Sequence, residues 1–193
     1  MWKQGLVIGI ITFILAIIIS TSSNLLIELF QNYYLALIFL FMIIFVGIIF
    51  DMIGVAATAA ECSPFHAKAS KKVPGSRHCI VMVNNADKVA SFCNDVIGDI
   101  CGTVSGALGT AIVFMIVADN SGTDAVLVTT FVTSLIAAVT VGGKAVGKTL
   151  GIYQAEKIIF RVGRFIASLE KWLGISLYDA KRKPGRGREK VSK

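Results

Sequence analysis

The stretch AVLVTTFVTSLIAAVTVGGKAVGKT, residues 125–149, decides the fold. Its last eight residues, GGKAVGKT (142–149), satisfy the phosphate-loop pattern G-x-x-x-x-G-K-[ST] without mismatch, with Gly142, Gly147, Lys148 and Thr149 at the defining positions. If the apolar run before it is a strand, the chain is a nucleotide-binding α/β domain. If the run is a helix, it is a membrane span with glycines and lysines at one end. A phosphate loop follows a buried strand of about 4–8 residues, opens a helix and belongs to a parallel sheet of several βαβ units. The run here is much longer than that. Beyond Thr149 the chain is mostly one amphipathic segment, and no later apolar run ends in an Asp able to hold Mg²⁺. FMIVAD does end in Asp119, but it lies upstream. Nucleotide binding is not expected, and the helical reading governs the rest of the chain.

Composition agrees. The 193 residues are 55% hydrophobic and only 16% charged, with a mean hydropathy of +0.74, whereas soluble domains carry about 25% charged residues. Apolar runs at 6–20 (extendable to 29), 35–50 (running on through MIGVAATAA), 100–118 and 125–143 approach or reach the roughly 20 helical residues that cross a bilayer core. No A-x-A-like site follows the first run, so a retained span is expected there rather than a signal peptide. The expected fold is an all-α integral membrane protein of about four transmembrane helices. Its parts are an N-terminal span over 1–30, spans over about 35–59, 96–118 and 125–147, and juxtamembrane helices over about 64–92 and 150–173. A basic tail occupies 180–193.

All 19 lysines and arginines lie at Lys3, between Lys68 and Lys88, or from Lys144 onward. By the positive-inside rule both termini and the middle loop are cytoplasmic, in a multi-pass protein of the cell membrane. The net charge of +7 owes most to KRKPGRGREKVSK, a topology anchor for anionic lipid headgroups. Nucleic acid is a poor partner for it, because it has no aromatic side chain to stack on bases. Cys62, Cys79, Cys93 and Cys101 fall at or near the cytoplasmic side, and no disulfide is expected. Cys62, His66, His78 and Cys79 share a loop, but their spacing matches no usual zinc site. An enzyme is not expected, since no Ser/His/Asp group stands at usable spacing, and no cofactor is required.

The roughly 40 residues between the second and third spans are too many for a passive turn. PFHAKASKKV reads as a short helix opened by Pro64, PGS breaks it, and HCIVMVNNADKVASFC reads as a second helix. Together they predict a helical hairpin on the inner membrane surface. LGIYQAEKIIFRVGRFIASLEKWLG places Ile152, Ala155, Ile159, Val162, Ile166, Leu169 and Leu173 at helical spacing, with Lys157, Arg161, Arg164 and Lys171 on other faces. That predicts a basic amphipathic helix lying beneath the bilayer.

Two constellations stand out inside the spans. Gly98, Gly102 and Gly106 repeat at i, i+4, i+8, the small-xxx-small spacing that lets helices approach closely in lipid. Asp51, Asp99 and Lys144 reach similar depths, about 24, 28 and 28 Å from the outer end at ~1.5 Å per residue. Intramembrane charges face a bundle interior or a wet cavity and mark ion paths or ion pairs. Asn94, Asp95 and Ser105 complete the candidate set, although Asp95 and Asp99 also suit helix capping at the interface. Lys144 and Lys148 share a helix face and can snorkel.

This layout resembles the transmembrane domain of the cyclin M/CorC family of magnesium transporters over about residues 35–173. FDMIGVA (50–56) stands where the family has F-S-x-S-E-x-A, Gly98-Asp99 where it has Gly-Asn, and GKAVGKT (143–149) where it has G-E-x-x-P-K-[ST]. The resemblance implies Mg²⁺ as the transported or bound ion, with Asp51 and Asp99 as metal ligands, and a homodimer that the glycine ladder permits. The departures fall on the family's ion site. Asp51 replaces the first Ser, Ile53 the second, Gly54 the Glu, Asp99 the Asn, Lys144 the later Glu, and Gly147 the Pro. No counterpart of the family's CBS pair is found in the sequence. Two expectations stand side by side. One is a divalent-cation transporter using Asp51 and Asp99. The other is a non-transporting membrane scaffold in which Lys144 fills the ion position by pairing with Asp51 or Asp99.

Overall fold

A computed structural model describes residues 2–30, 33–119 and 124–173. The basic tail over 180–193 lies outside the described residues, as do 31–32 and 120–123. Every element among the described residues is helical: α1 (Trp2–Phe30), α2 (Tyr33–Ala59), α3 (Ser63–Ser70), α4 (Ser76–Asn84), α5 (Ala86–Ala90), a π-helical segment (Ser91–Gly98), α6 (Asp99–Asp119), α7 (Ala125–Tyr153) and α8 (Ala155–Leu173). Four stretches are long and apolar enough to cross a membrane: Gly5–Ser22, Tyr34–Ala59, Ala86–Val117 and Val126–Tyr153. Only a helix can satisfy the backbone of a lone segment in lipid. The large apolar side chains left exposed on α1 (Leu6, Phe13, Ile17) and α7 (Val126, Leu127, Phe131) form a surface that water would penalise and lipid would not.

Three boundaries differ from the sequence reading. The hairpin is α3 and α4 alone, because HCIVMVNNADKVASFC is not one helix. It breaks at Asn85, whose Nδ2 donates to Val81 O at 2.9 Å. Such side chains compete with the helical ladder. Beyond the break, α5, the π segment and α6 follow without interruption, so the third span's helix begins at Ala86 rather than near 96. Finally, α7 runs to Tyr153 rather than 147, and the turn at Gln154 starts α8 at Ala155 rather than 150. Two local features fix other helix starts, the first as read and the second found only in the structure. Pro64 lies in the first turn of α3, and the Asp124 side chain caps α7 by accepting from Val126 N at 3.1 Å.

The central element is α2, which packs against α1, α4, α5, the π segment, α6, α7 and α8. It carries two apolar clusters. Ala36, Leu40, Ile43 and Ile44 meet Val96, Ile100, Val104 and Leu108. Farther along, Ala56, Ala57 and Ala60 meet Phe65, Cys79, Ile158 and Ile159 from α3, α4 and α8. The basic residues of α8 (Lys157, Arg161, Arg164, Lys171) are exposed, while Ala155, Ile158, Ile159 and Gly163 are buried.

The hairpin docks on α8 through two bare backbones. Gly75 has φ +86°, and a Cβ there would lie 2.7 Å from Arg164 N. A Cβ on Gly163 would meet Cys79 Sγ and would lie 2.8 Å from Gly75 O. Gly75→Ala should therefore lower unfolding stability in detergent by about 1–3 kcal/mol. Gly5→Ala, with nothing within 4 Å of the new methyl, should cause no loss. Thermal unfolding of the two variants checks this.

Candidate functional site

Between the two clusters of α2 lies Asp51, only 2% exposed. A carboxylate that deep must be paired or neutralised. Lys148 Nζ on α7 approaches Asp51 Oδ2 to 3.5 Å. Lys144, one turn earlier on the same face, donates from Nζ to Gly98 O at 3.2 Å. A Cβ added to Gly98 would lie 3.5 Å from Lys144 Nζ and 3.7 Å from Asp51 Oδ1. Both lysines and the carboxylate thus converge where α2, the end of the π segment and α7 meet. Asp51 Oδ2 has the ion contact but no hydrogen bond. Lys148 is 52% exposed at its side chain, so one end of the pair lies at the surface of the helix bundle.

The phosphate-loop match is helical throughout, inside α7. Its glycines have a different use. Gly143, Gly147 and Gly151, at i, i+4, i+8, form the close seam between α7 and α2. A Cβ on Gly143 would meet Ile48, one on Gly147 would lie 3.1 Å from Ile48 Cγ2, and one on Gly151 2.8 Å from Met52 O. That approach carries Lys144 and Lys148 to the level of Asp51. The ladder read from the sequence behaves differently within the chain. Gly98 is buried at the junction, but Gly102 and Gly106 have nothing within 4 Å of an added Cβ.

The other candidates separate. Asp99 is exposed and forms no ion pair with Lys144. Asp95 is exposed and accepts from Ser91 Oγ at 2.8 Å. Ser105 is buried, but its hydroxyl donates to Gly102 O in its own helix at 2.8 Å. Asn94 packs its side chain into the gap left by Gly54, with a buried Oδ1 that accepts no hydrogen bond. Asp51 and Asp99 therefore do not form one carboxylate site.

Sequence reading missed the π segment, the Lys148 contact and the Asn94–Gly54 fit. Only the glycine triplet in 143–151 was a legible signal for the second. A π-helical stretch changes the register between its two ends and often marks a functional position. Here it sets Asn94 and Gly98 against α2 together.

Near the hairpin, the thiols are used structurally. Cys79 Sγ donates to Gly75 O at 3.2 Å and to Ile159 O at 3.4 Å. Burial pushes the Cys79 thiol above its ordinary range, partly offset by a backbone hydrogen bond and the Lys68 ammonium. Cys62 Sγ donates to Asn84 Oδ1 at 3.2 Å. His78 Nε2 lies 2.9 Å from Glu170 Oε2 and ties α4 to α8. Among the described residues, no group of three or more His, Cys, Asp or Glu is placed to hold a metal.

Comparison of the chain with protein-family models, curated proteins and solved structures finds no significant match.

Proposed function

We propose that this chain is a multi-pass membrane module, with both termini cytoplasmic, in which its own lysines take the place that a divalent ion would occupy in CorC-like spans. In this reading it is a scaffold rather than a transporter. It presents a basic inner surface, built from Lys71, Lys72 and Arg77 of the hairpin region and Lys157, Arg164 and Lys171 of α8, to acidic partners at the membrane. The observation that carries the reading is Lys148 paired with the buried Asp51, with Lys144 bonded to Gly98 O at the same junction rather than to the carboxylate. Charge arithmetic supports it. At an effective dielectric of ~20, a dication about 4 Å from one ammonium is repelled by about 8 kcal/mol, and one carboxylate at that distance offsets only one ammonium. Mg²⁺ also favours oxygen ligands in near-octahedral geometry, whereas Asp99 is exposed and the Ser105 hydroxyl is bonded to Gly102 O in its own helix.

The expected result is no Mg²⁺ flux above that of empty proteoliposomes, and no change in unfolding temperature on adding millimolar-range Mg²⁺. Mg²⁺-dependent flux abolished by Asp51→Ala would overturn the reading.

Transport is the second reading, favoured by the half-exposed Lys148 and the missing hydrogen bond on Asp51 Oδ2. Such a pair can open, with Lys148 acting as a displaceable tethered cation. Under this reading Lys148→Met raises flux, whereas under the scaffold reading flux stays at background.

A further inference from the structure

A groove of about 770 Å³ runs between α2, the α5–π helix and α8. Its floor is apolar, formed by Ile49, Phe50 and Ile53 of α2 with Phe92 and Phe165 facing them. Two cations also line it, Lys88 of α5 and Arg161 of α8, and no acidic residue does. Among the described residues, neither cation has a carboxylate within 4 Å. A second groove of about 620 Å³ lies on the α1 side of the same helix, lined by Val7, Ile8 and Ile11. Lys88 and Phe92 line both grooves. Asp87 lines only the α1 side, so the positive field is stronger on the α8 side.

We propose that this surface retains one anionic phospholipid, its phosphate held between Lys88 and Arg161 and its two acyl chains seated on either side of Phe92. Charge and polarity together select the occupant. A free phosphate leaves the apolar floor uncovered. A zwitterionic lipid brings its own ammonium and leaves the two cations poorly neutralised. An anionic diacyl lipid satisfies both ends, in the manner of basic pockets between transmembrane helices. The proposal rests only on the chain spanning a membrane. It is independent of what fills the position beside Asp51, and its readout is lipid retention rather than ion flux.

The test is native mass spectrometry of the protein in a mild detergent with equimolar phosphatidylglycerol and phosphatidylcholine. One phosphatidylglycerol should be retained with a preference of roughly tenfold or more, given two basic side chains near the headgroup. Lys88→Gln with Arg161→Gln should bring the preference close to unity. Lys88→Arg with Arg161→Lys should keep it, as should Lys157→Gln on α8 away from the groove. Both groove cations are exposed, and an unchanged unfolding temperature shows that the double variant still folds. Excess glycerol phosphate, which carries the headgroup chemistry without acyl chains, should not displace the lipid. Equal retention of the two lipids, undiminished preference in the glutamine variant, or displacement by glycerol phosphate would each overturn the proposal.

Discussion

Replacing Lys144 and Lys148 together with methionine is expected to destabilise the fold by about 3–5 kcal/mol, the usual consequence of stranding one member of a buried ion pair. Asp51 is 2% exposed, Lys148 is its ion partner at 3.5 Å, and Lys144 holds a second ammonium at the same junction on Gly98 O. Methionine keeps the stem volume and removes only the charge, so packing between α2 and α7 is preserved. The single changes should be milder. Lys148→Met removes an ion contact that is open at the lysine end, and Lys144 keeps a second ammonium at the same junction. Lys144→Met removes one charge-assisted hydrogen bond to Gly98 O, about 1.5–3 kcal/mol. Adding Asp51→Asn to the double variant should recover most of the loss, because a neutral buried amide is far less costly than an unpaired carboxylate. Unfolding of the four variants beside the wild type in matched micelles gives the comparison. Wild-type stability in the double methionine variant would mean that Asp51 is satisfied another way, and the lysine-filled reading would fall with it.

Leucine at Gly147 and at Gly151 is expected to lower stability by about 1–3 kcal/mol each, with the larger effect at Gly151. At Gly151 the new Cβ would lie 2.8 Å from a backbone atom, Met52 O, so relief requires moving a helix rather than a rotamer. At Gly147 the nearest atom is Ile48 Cγ2 at 3.1 Å, a side chain with some freedom. In lipid, close backbone packing replaces the hydrophobic drive between helices, so a lost seam has little to compensate it. Separating α7 from α2 would also pull Lys148 from Asp51. Leucine at Gly102 or Gly106, which meet nothing within 4 Å, should leave the monomer's stability unchanged. If the two pairs of sites instead gave equal losses, the seam would not be where the close contacts are. Cross-linking between copies in the Gly102 and Gly106 variants reports separately on a homodimer.

Much of the architecture was legible because lipid imposes a simple rule. A run such as 35–50 must be helical wherever it crosses, whatever it packs against. The same logic rejected the phosphate loop in 142–149, since its preceding run was too long for a strand. Boundaries were less legible. Asn84-Asn85 carried the breaker signal for the hairpin's second helix, yet periodicity of the apolar residues ran across it. The π segment had no visible mark, because its 8 residues are too few for a changed helical period to show in the apolar pattern.

The site was half legible. Depth along each span placed Asp51 and Lys144 at one level, since helical rise is fixed at ~1.5 Å per residue. Depth gives no azimuth. Asp99 shares that level and faces outward, while Lys148, one turn beyond Lys144, reaches Asp51. The glycines show the same limit. Spacing marked 98, 102 and 106 as a ladder, and the ladder in 143–151 proved to be the one packed within the chain.

Composition and charge order by themselves determined that the chain is helical, has four candidate spans and carries Asp51, Asp99 and Lys144 at similar depth. Those properties depend on one-dimensional quantities: hydropathy, rise per residue and the length of an apolar run. Which lysine meets Asp51, which glycines carry the packing and where Asn94 lies were decided only by the tertiary structure. They depend on the rotation of each helix about its axis, set by the fit of α7's bare backbone against α2 and by the register change in the π segment.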